Sequence, residues 1–572
     1  MAGVARAFDA AAAPQRTAAA RADLRCGPIS RYRVASEPEL MKYIRKAVIL
    51  SHRYLGIVIG LLVIMWFATG ITMMYAGGMP RLTPEMRVER LPATDPSRIR
   101  LSVAEAAERA GVETTGSQAM LLSVLDRPVY RFPGRSTTSI FADTGELFEG
   151  LDISGSRRVA SQFLGVPADR IQFVRTLDTV DQWTLVQSRQ LPLHKFRVDD
   201  DAGTELYVEP ATGEVAMLTT GRSRALAWVS TIPHWLYFSA LRLNQPLWYQ
   251  IVVWGSALAC ALAVLGLILS VTQFRRTRPF RLSRSIPYSG TMRWHYVSGA
   301  VFGIATFTFA FSGLLSMEPF AWTNSPSIQV PRAALTGGPV DLAQFPRLDA
   351  AAWAAILDGQ ALKEVEFLRI QDQPYLAVRH AGPSREETKR ERLHQPYYVT
   401  GRAESNRLLV RADTLDVRQE PFTTESLVAR LEAAIPDTRV LESTWLADYD
   451  SYYYSRARQT PLPVVRIKFD DPAETWVYID PETSQVLSEV SRLSRVERWL
   501  YNGLHSLDFA FLYAHRPAWD VIMITLCLGG LTTSALGLFL GLRRTRRAAV
   551  RLAAQADVRP ASPGPDATAT VR

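Results

Sequence analysis

Four histidines occupy equivalent positions in two repeated sequence frames, and their residue type and spacing suit them to binding a metal. The first frame starts at His52 and again at His295, with glycines four, eight and eighteen residues later in both copies. The second frame starts at His234 and again at His505, with Phe, Pro and Trp at the same spacings in both copies. The offset between copies is 243 residues in the first frame and 271 in the second. This repetition indicates a tandem duplication that supplies each histidine with a counterpart.

Hydrophobicity and charge divide the 572-residue chain into membrane and exported parts. The chain is 48% hydrophobic and 21% charged, and four stretches without a charged residue are long enough to cross a bilayer. These stretches are residues 54–75, 247–274, 296–317 and 521–542. The first is too long for a signal-peptide core and no small-residue cleavage site follows it, so we predict four membrane helices.

The arginines and lysines predict the orientation of these helices. They cluster before the first span, in the short loop 275–293 and after the last span. Because positive residues favour the cytoplasmic side, we expect both termini and this loop in the cytoplasm of a bacterial inner membrane, with residues 76–246 and 318–520 exported. These anchors largely account for the net charge of +10, so the basic composition gives no reason to expect nucleic-acid binding.

This topology decides which histidines can meet. His52 and His295 begin the first and third spans near the cytoplasmic face, whereas His234 and His505 precede the second and fourth spans on the outer side. A pseudo-twofold axis along the membrane normal would pair His52 with His295 and His234 with His505. Haem iron is the leading candidate ligand, because two axial imidazoles fill both of its open positions and favour electron transfer. The absence of Cys-x-x-Cys-His excludes covalent c-type attachment, so we expect one or two non-covalently bound haems held by these four histidines.

Alternatives stay open for these residues. A histidine beside a membrane span also serves as a hydrogen-bonding residue at the interface, as His52 next to Arg53 could. Copper or zinc is a weaker rival to haem, since no carboxylate or thiolate shares the frames. Four glycines on the histidine face of their helices would either clear space for a macrocycle or permit ordinary close helix packing. They are Gly56, Gly60, Gly299 and Gly303.

Each exported segment is predicted to contain small α+β units. Ser102 and Glu105 form a capping-box pattern that opens a short helix through Ala110. Residues 123–132 are typical of a strand, and a helix is expected over 157–164. Turn residues between strand-like runs predict four hairpins, at 142–147, 207–215, 411–417 and 478–486.

The segments beside the spans have their own predictions. Residues 235–243 and 506–514, each followed by Pro-x-Trp, predict interfacial helices between the outer histidines and their spans. The chain ends, 1–40 and 548–572, lack a packed hydrophobic pattern and are predicted to be disordered or flexible. The charged insertion at 380–406 predicts a surface loop. The remaining histidines have no repeat partner and are predicted to be surface residues: His194, His380, His394 and His515.

The spans and hairpins together resemble the PepSY-associated transmembrane family. Two of the hairpins run Tyr-Val-Glu-Pro-Ala-Thr-Gly-Glu-Val (207–215) and Tyr-Ile-Asp-Pro-Glu-Thr-Ser-Gln-Val (478–486), and each lies between an outgoing and a returning span. The resemblance covers about residues 42–547. It implies extracytoplasmic PepSY-type domains. Members of that family include iron-regulated inner-membrane proteins and ferric-siderophore reductases that carry b-type haem, along with many proteins of unknown role.

We therefore predict a membrane α-helical bundle of four transmembrane helices with a two-fold internal repeat and two extracytoplasmic α+β PepSY-type domains. Met41 would make an alternative translation start. The predicted divisions are a disordered cytoplasmic arm (1–40), the first membrane helix (41–76), a first periplasmic domain (77–225), an interfacial and second membrane helix (226–274), a cytoplasmic Arg-rich loop (275–294), the third membrane helix (295–317), a second periplasmic domain (318–496), an interfacial and fourth membrane helix (497–542), and a cytoplasmic tail (543–572).

Two classes of function fit these predictions. The first is an inner-membrane haem b protein that passes electrons to a periplasmic acceptor, by resemblance a ferric siderophore or other metal complex, which would make it a haem-dependent reductase. Because the chain has no G-x-G-x-x-G or P-loop motif, its electrons would come from a membrane or cytoplasmic donor. The second is a non-enzymatic module, anchored in the lipid bilayer, whose exported domains bind a peptidase or other envelope partner. The second class predicts a colourless protein that tolerates alanine at all four histidines.

Overall fold

The computed structural model describes residues 39–381, 407–454, 460–513 and 515–557. The chain divides into a unit of residues 1–47 and a much larger unit of residues 48–572, and the packing described below belongs to the larger unit. The predicted surface loop at 380–406 and the predicted disordered arm lie almost entirely outside the described residues.

Four long apolar helices confirm the predicted membrane spans. They are Glu39–Ala76, Gln245–Thr272, Gly290–Leu315 and Ala518–Asp557, and we call them the first to fourth membrane helices. Their most apolar windows have mean hydropathies of 2.3, 2.4, 1.6 and 1.9. An apolar core that includes Ile59, Val63 and Met523 joins the first helix to the fourth.

The fourth membrane helix corrects one prediction. Residues 548–557, expected to belong to a flexible tail, continue the helix to Asp557. Five of these ten residues are alanine, the best helix former, and the stretch extends a helix that is already nucleated. Propagation costs far less than nucleation, so an apolar face is not needed here.

The predicted interfacial helices are each broken in two. Residues 235–243 divide between the short helices Thr231–Trp235 and Ser239–Arg242, and residues 506–514 divide between Leu504–Ser506 and Ala510–Tyr513. Leu236 and Leu507 adopt left-handed φ angles of 53° and 49° at the two breaks. In both copies the tryptophan of Pro-x-Trp donates its indole N–H, over 2.9 Å, to the carbonyl just before the break: Trp248 to Trp235, and Trp519 to Ser506. These bonds replace the hydrogen bonds that a continuous helix would make there.

The segment between the first and second membrane helices and the one between the third and fourth are predicted to be exported, and we call them the exported segments. They contain fourteen described strands. The first segment contributes β1 (Met120–Val124), β2 (Arg127–Phe132), β3 (Thr138–Phe141), β4 (Ile171–Leu177), β5 (Leu193–Val198), β6 (Glu205–Glu209) and β7 (Glu214–Thr219). The second contributes β8 (Leu362–Ile370), β9 (Gln373–His380), β10 (Arg407–Arg411), β11 (Val440–Leu446), β12 (Val464–Phe469), β13 (Trp476–Asp480) and β14 (Gln485–Val490).

Short helices connect and cover these strands. The α-helices are Pro84–Arg90, Val103–Arg109, Ile153–Leu164 and Gly221–Val229 in the first segment, Leu282–Ser285 in the Arg-rich loop, and Arg332–Thr336, Ala350–Leu357, Thr424–Ala434 and Arg492–Arg498 in the second segment. The capping box is present as predicted, since the Ser102 hydroxyl accepts from the Glu105 backbone and the Glu105 carboxylate accepts from the Ser102 backbone. A π-helical turn, Trp499–Gly503, leads to His505.

One predicted strand is in fact a hairpin. Residues 123–132 turn back at Leu125 and Asp126, which have φ angles of 50° and 63°, and β1 pairs with β2 in antiparallel register. Positive φ at both central positions is the conformation that closes a two-residue hairpin, and aspartate tolerates it better than most residues. The predicted hairpins at 207–215 and 478–486 are the antiparallel pairs β6–β7 and β13–β14.

The two exported segments share one sheet. Its strand order is β10–β9–β8–β1–β2–β3, and the join is the antiparallel pairing of β1 with β8, in which Leu121 lies opposite Val365. A core cluster with residues from both segments packs on this sheet. The strands β4–β7 and β11–β14 form two further four-stranded sheets, one within each segment.

Candidate functional site

The N-terminal parts of the first and third membrane helices bring His52 and His295 together. Their imidazole centres are 6.2 Å apart and the ring planes are inclined by 37°. We call these two residues the inner pair. Both rings are half-buried among the membrane helices.

The other two histidines meet near the outer ends of the spans. His234 lies on the short helix Thr231–Trp235 and His505 on Leu504–Ser506, and their ring centres are 6.1 Å apart with planes inclined by 71°. We call them the outer pair.

The separation within each pair would allow the two imidazoles to hold one metal ion between them. Two imidazoles on opposite sides of a first-row metal have ring centres about 6.2 Å apart, because each metal–nitrogen bond is about 2.0 Å long and each nitrogen lies about 1.1 Å from its ring centre. Among the described residues no group of three or more His, Cys, Asp or Glu side chains could hold a metal ion. A pair of imidazoles without further protein ligands suits haem, since the macrocycle itself supplies the equatorial nitrogens.

The inner histidines have their tautomer set by backbone carbonyls. Nδ1 of His52 lies 3.2 Å from the carbonyl oxygen of Leu262, and Nδ1 of His295 lies 3.0 Å from that of Thr533. A carbonyl only accepts, so Nδ1 carries the proton in both neutral rings. The lone pair is therefore on Nε2, the nitrogen that would bind iron.

The outer histidines bond to side-chain hydroxyls instead. Nδ1 of His234 lies 3.1 Å from Thr69 Oγ1, and Nδ1 of His505 lies 3.0 Å from Ser312 Oγ, with the Phe309 carbonyl oxygen at 3.3 Å. Each hydroxyl donates its own proton to a carbonyl of its helix: Thr69 to Met65 over 2.7 Å and Ser312 to Phe309 over 3.1 Å. The hydroxyl oxygens therefore accept from Nδ1, and the outer rings take the same tautomer as the inner ones.

These hydrogen-bond partners follow the same sequence offsets as the histidines, and the sequence analysis missed them. Thr69 and Ser312 are 243 residues apart, and Leu262 and Thr533 are 271 apart. A usable signal existed for the first two, because each is a hydroxyl residue directly before a glycine of the first frame. No signal existed for the second two, because a backbone carbonyl leaves no mark in a sequence.

The glycines divide into two roles. The four glycines whose purpose the sequence left open pack against side chains of neighbouring helices: Gly56 on Leu262, Gly60 on Leu538, Gly299 on Thr533 and Gly303 on Leu267. These contacts are those of close helix packing. Two other glycines face the inner rings, since a Cβ at Gly266 would lie 3.0 Å from His52 Cε1 and a Cβ at Gly537 would lie 2.8 Å from His295 Cε1.

The histidines without repeat partners lie apart from both pairs. His515 is exposed as predicted and His380 is partly exposed, while His394 lies outside the described residues. The prediction for His194 is wrong, because only 9% of this residue is exposed and its Nδ1 lies 2.8 Å from Ser156 Oγ. The helix Ile153–Leu164 covers this face of β5, which the sequence alone could not show.

Comparison with known proteins identifies the family. No curated protein matches the chain. The model of the PepSY-associated TM region matches residues 50–395, which is more than half of the chain and includes three of the four paired histidines. With its membrane helices and exported sheets, the chain belongs to the PepSY-associated transmembrane family.

Proposed function

We propose that this protein is an inner-membrane haem b carrier that passes electrons from a cytoplasmic or membrane donor to an acceptor on the exported side. The observation that carries the proposal is the pair of ring separations, 6.2 Å and 6.1 Å, each fitting one metal ion held between two imidazoles. Haem held by two axial histidines supplies one-electron transfer without an open coordination position.

The residues around each pair prepare the imidazoles for this role. The Nδ1 hydrogen bonds leave Nε2 as the ligating nitrogen of all four rings and prevent the rings from rotating away. The glycines facing the inner rings leave space for them. The chain therefore positions its ligands before any metal binds.

The two pairs lie at different depths in the membrane. Thr69, which contacts His234, follows His52 by 17 residues of continuous helix, and Ser312, which contacts His505, follows His295 by the same number. At 1.5 Å per residue, this places the two pairs about 26 Å apart along the helix axes. One pair near each face suits a protein that moves charge across the bilayer.

The acceptor we propose is a ferric chelate such as a ferric siderophore, or another metal complex. Reduction gives the metal a lower charge, which suits hard oxygen ligands less, so the chelate releases it more readily. The outer pair lies on the side of the membrane from which the exported sheets extend, where such a complex would arrive.

The visible spectrum of the purified protein, before and after dithionite, tests the proposal. We expect a Soret band and a reduced α-band from protein made with ample haem supply. Each single change His52→Ala, His295→Ala, His234→Ala and His505→Ala should remove about half of the bound haem. The exposed His515 serves as the control, and His515→Ala should keep all of it. A colourless protein would overturn the proposal in favour of a membrane-anchored binding module for an envelope partner.

A further inference from the structure

We propose that Thr69 and Ser312 are positioning residues of the outer pair, which hold His234 and His505 in the ligating tautomer and set the reduction potential of that site. The tautomer assignment stands on this chain's own hydrogen bonds, whereas the effect on potential rests on the proposed function.

The hydrogen bonds show why these two hydroxyls are suited to the task. Thr69 Oγ1 lies 2.7 Å from the Met65 carbonyl and 3.1 Å from His234 Nδ1. Its only proton goes to the carbonyl, so its oxygen is available to accept from the imidazole. Ser312 repeats the arrangement at 3.1 Å from the Phe309 carbonyl and 3.0 Å from His505 Nδ1.

The inner pair has no such hydroxyls among its described hydrogen bonds, so we assign the positioning role of a side chain to the outer pair alone. His52 and His295 bond to the carbonyls of Leu262 and Thr533, which belong to the backbones of the second and fourth membrane helices. No side-chain substitution removes a backbone acceptor. The outer rings differ in that each also has a side-chain hydroxyl at Nδ1, beside the Phe309 carbonyl oxygen that lies 3.3 Å from His505 Nδ1. A single change can therefore remove the hydroxyl acceptor of either outer ring.

Removing either hydroxyl has a predictable sign. An imidazole whose Nδ1–H is hydrogen-bonded is a stronger donor to iron through Nε2, and a stronger donor stabilises the ferric state more than the ferrous state. Loss of the acceptor weakens that donation. The reduction potential of the outer site should therefore rise, and its affinity for haem should fall, by about 10-fold to 100-fold as for other partners of this kind.

The Thr69 hydroxyl could instead serve only to bond a carbonyl of its own helix, which we call a back-bond. The third membrane helix offers a matched control for this competing role. Thr306 donates to the Phe302 carbonyl over 3.0 Å, four residues back, as Thr69 does to Met65. Among its described contacts none is to a histidine. Thr306→Val therefore removes the back-bond alone, whereas Thr69→Val removes both the back-bond and the Nδ1 acceptor.

The experiment compares Thr69→Val, Ser312→Ala and Thr306→Val with the conservative exchanges Thr69→Ser and Ser312→Thr. Redox titration of the haem-loaded full-length chain should show a raised midpoint potential for one of two haems in Thr69→Val and Ser312→Ala. The conservative exchanges and Thr306→Val should match the wild type. If the potentials of Thr69→Val and Ser312→Ala equal those of Thr306→Val, the tuning role is overturned.

A second measurement needs no haem and separates this inference from the proposed function. The ¹⁵N chemical shifts of histidine-labelled, haem-free protein report which ring nitrogen carries the proton. In the wild type the four paired histidines should be Nδ1-protonated, and Thr69→Val should convert one of them to a mixture of tautomers. An unchanged spectrum in Thr69→Val would overturn the positioning role, even for a protein that binds haem. A changed spectrum in a protein that never takes up haem would support the positioning role and refute the proposed function.

Discussion

Gly266 and Gly537 lie against the two inner imidazoles. Each follows by four residues the carbonyl to which its histidine bonds, Leu262 and Thr533 respectively, so it also donates the helical N–H to that carbonyl. A side chain at this position would cover the carbonyl. Glycine therefore lets the imidazole reach an acceptor that is already part of a helix.

Gly537→Ala should cost the protein its inner haem. The added Cβ would lie 2.8 Å from His295 Cε1, which forces the ring away from Thr533. Alanine also favours helix by about 1 kcal/mol, so a loss of haem could not come from a weaker helix. We expect about half of the wild-type haem per chain. Gly70→Ala is the control and should keep its haem, because its Cβ would make an ordinary 3.5 Å contact with His234 Cε1. Full haem content in Gly537→Ala would contradict the steric argument.

At the scale of elements, a buried ion pair reinforces the strand pairing that joins the two exported segments. Glu364 on β8 has a side chain that is 1% exposed, and Arg87, on the helix Pro84–Arg90 of the other segment, lies 2.6 Å from it. Arg379 on β9 lies 3.5 Å from the same carboxylate. Both segments therefore contribute charges to one buried site next to β1 and β8.

Glu364→Leu should destabilise the exported region by about 3 kcal/mol, because it leaves the largely buried Arg87 guanidinium without its closest carboxylate. Arg87→Met combined with Glu364→Leu should recover much of that loss, since the cost arises from the uncompensated charge. Urea unfolding followed by tryptophan fluorescence measures both. If the double variant is no more stable than the single one, Arg87 and Glu364 are not energetically coupled.

The breaks in the two interfacial helices, at Leu236 and Leu507, help to position the outer histidines. The Trp248 and Trp519 indoles end the short helices directly after the outer histidines, and this turns the following chain into the spans. The two copies use the same donor, the same acceptor position and the same left-handed leucine. The outer pair is therefore held by equivalent local structure on both sides.

At the scale of the whole molecule, the charges predict the orientation. Arginines fill the loop 275–293 and the first turns beyond the fourth span, and arginines 275, 276, 278, 281 and 284 of the loop are exposed. The positive-inside rule predicts that these regions face the cytoplasm and that the sheets face the periplasm. The inner pair is then the one nearer to the donor.

Cysteine accessibility tests this orientation. In a chain whose three cysteines are replaced by alanine, Ser154→Cys on the exported side should react with a membrane-impermeant maleimide in intact spheroplasts. Ser283→Cys, in the Arg-rich loop, should react only after the membrane is disrupted. Both positions are exposed, so access depends on the membrane alone. The reverse labelling pattern would invert the proposed direction of electron flow.

Local sequence patterns were enough for the spans, the capping box, the hairpins at 207–215 and 478–486, and the pairing of His52 with His295 and of His234 with His505. Each depends on a short-range signal: apolar length, residue type at a turn, or a repeated spacing. Where the local pattern was ambiguous the prediction failed, as at 123–132, where two positive φ angles turn an apparent strand into a hairpin. The prediction that His194 is a surface residue was wrong for a related reason, because the helix that covers it lies elsewhere in the chain.

The sequence by itself determined that the chain carries four membrane-flanking histidines in two equivalent pairs. Only the tertiary structure decided what holds each ring. The acceptor of His234 is 165 residues away in the chain, and that of His295 is 238 residues away. Such partners are selected by the packing of one helix against another, and two of them are backbone carbonyls that any residue type would supply. The tautomer of each histidine, and with it the nitrogen offered to a metal, is therefore a property of the folded bundle.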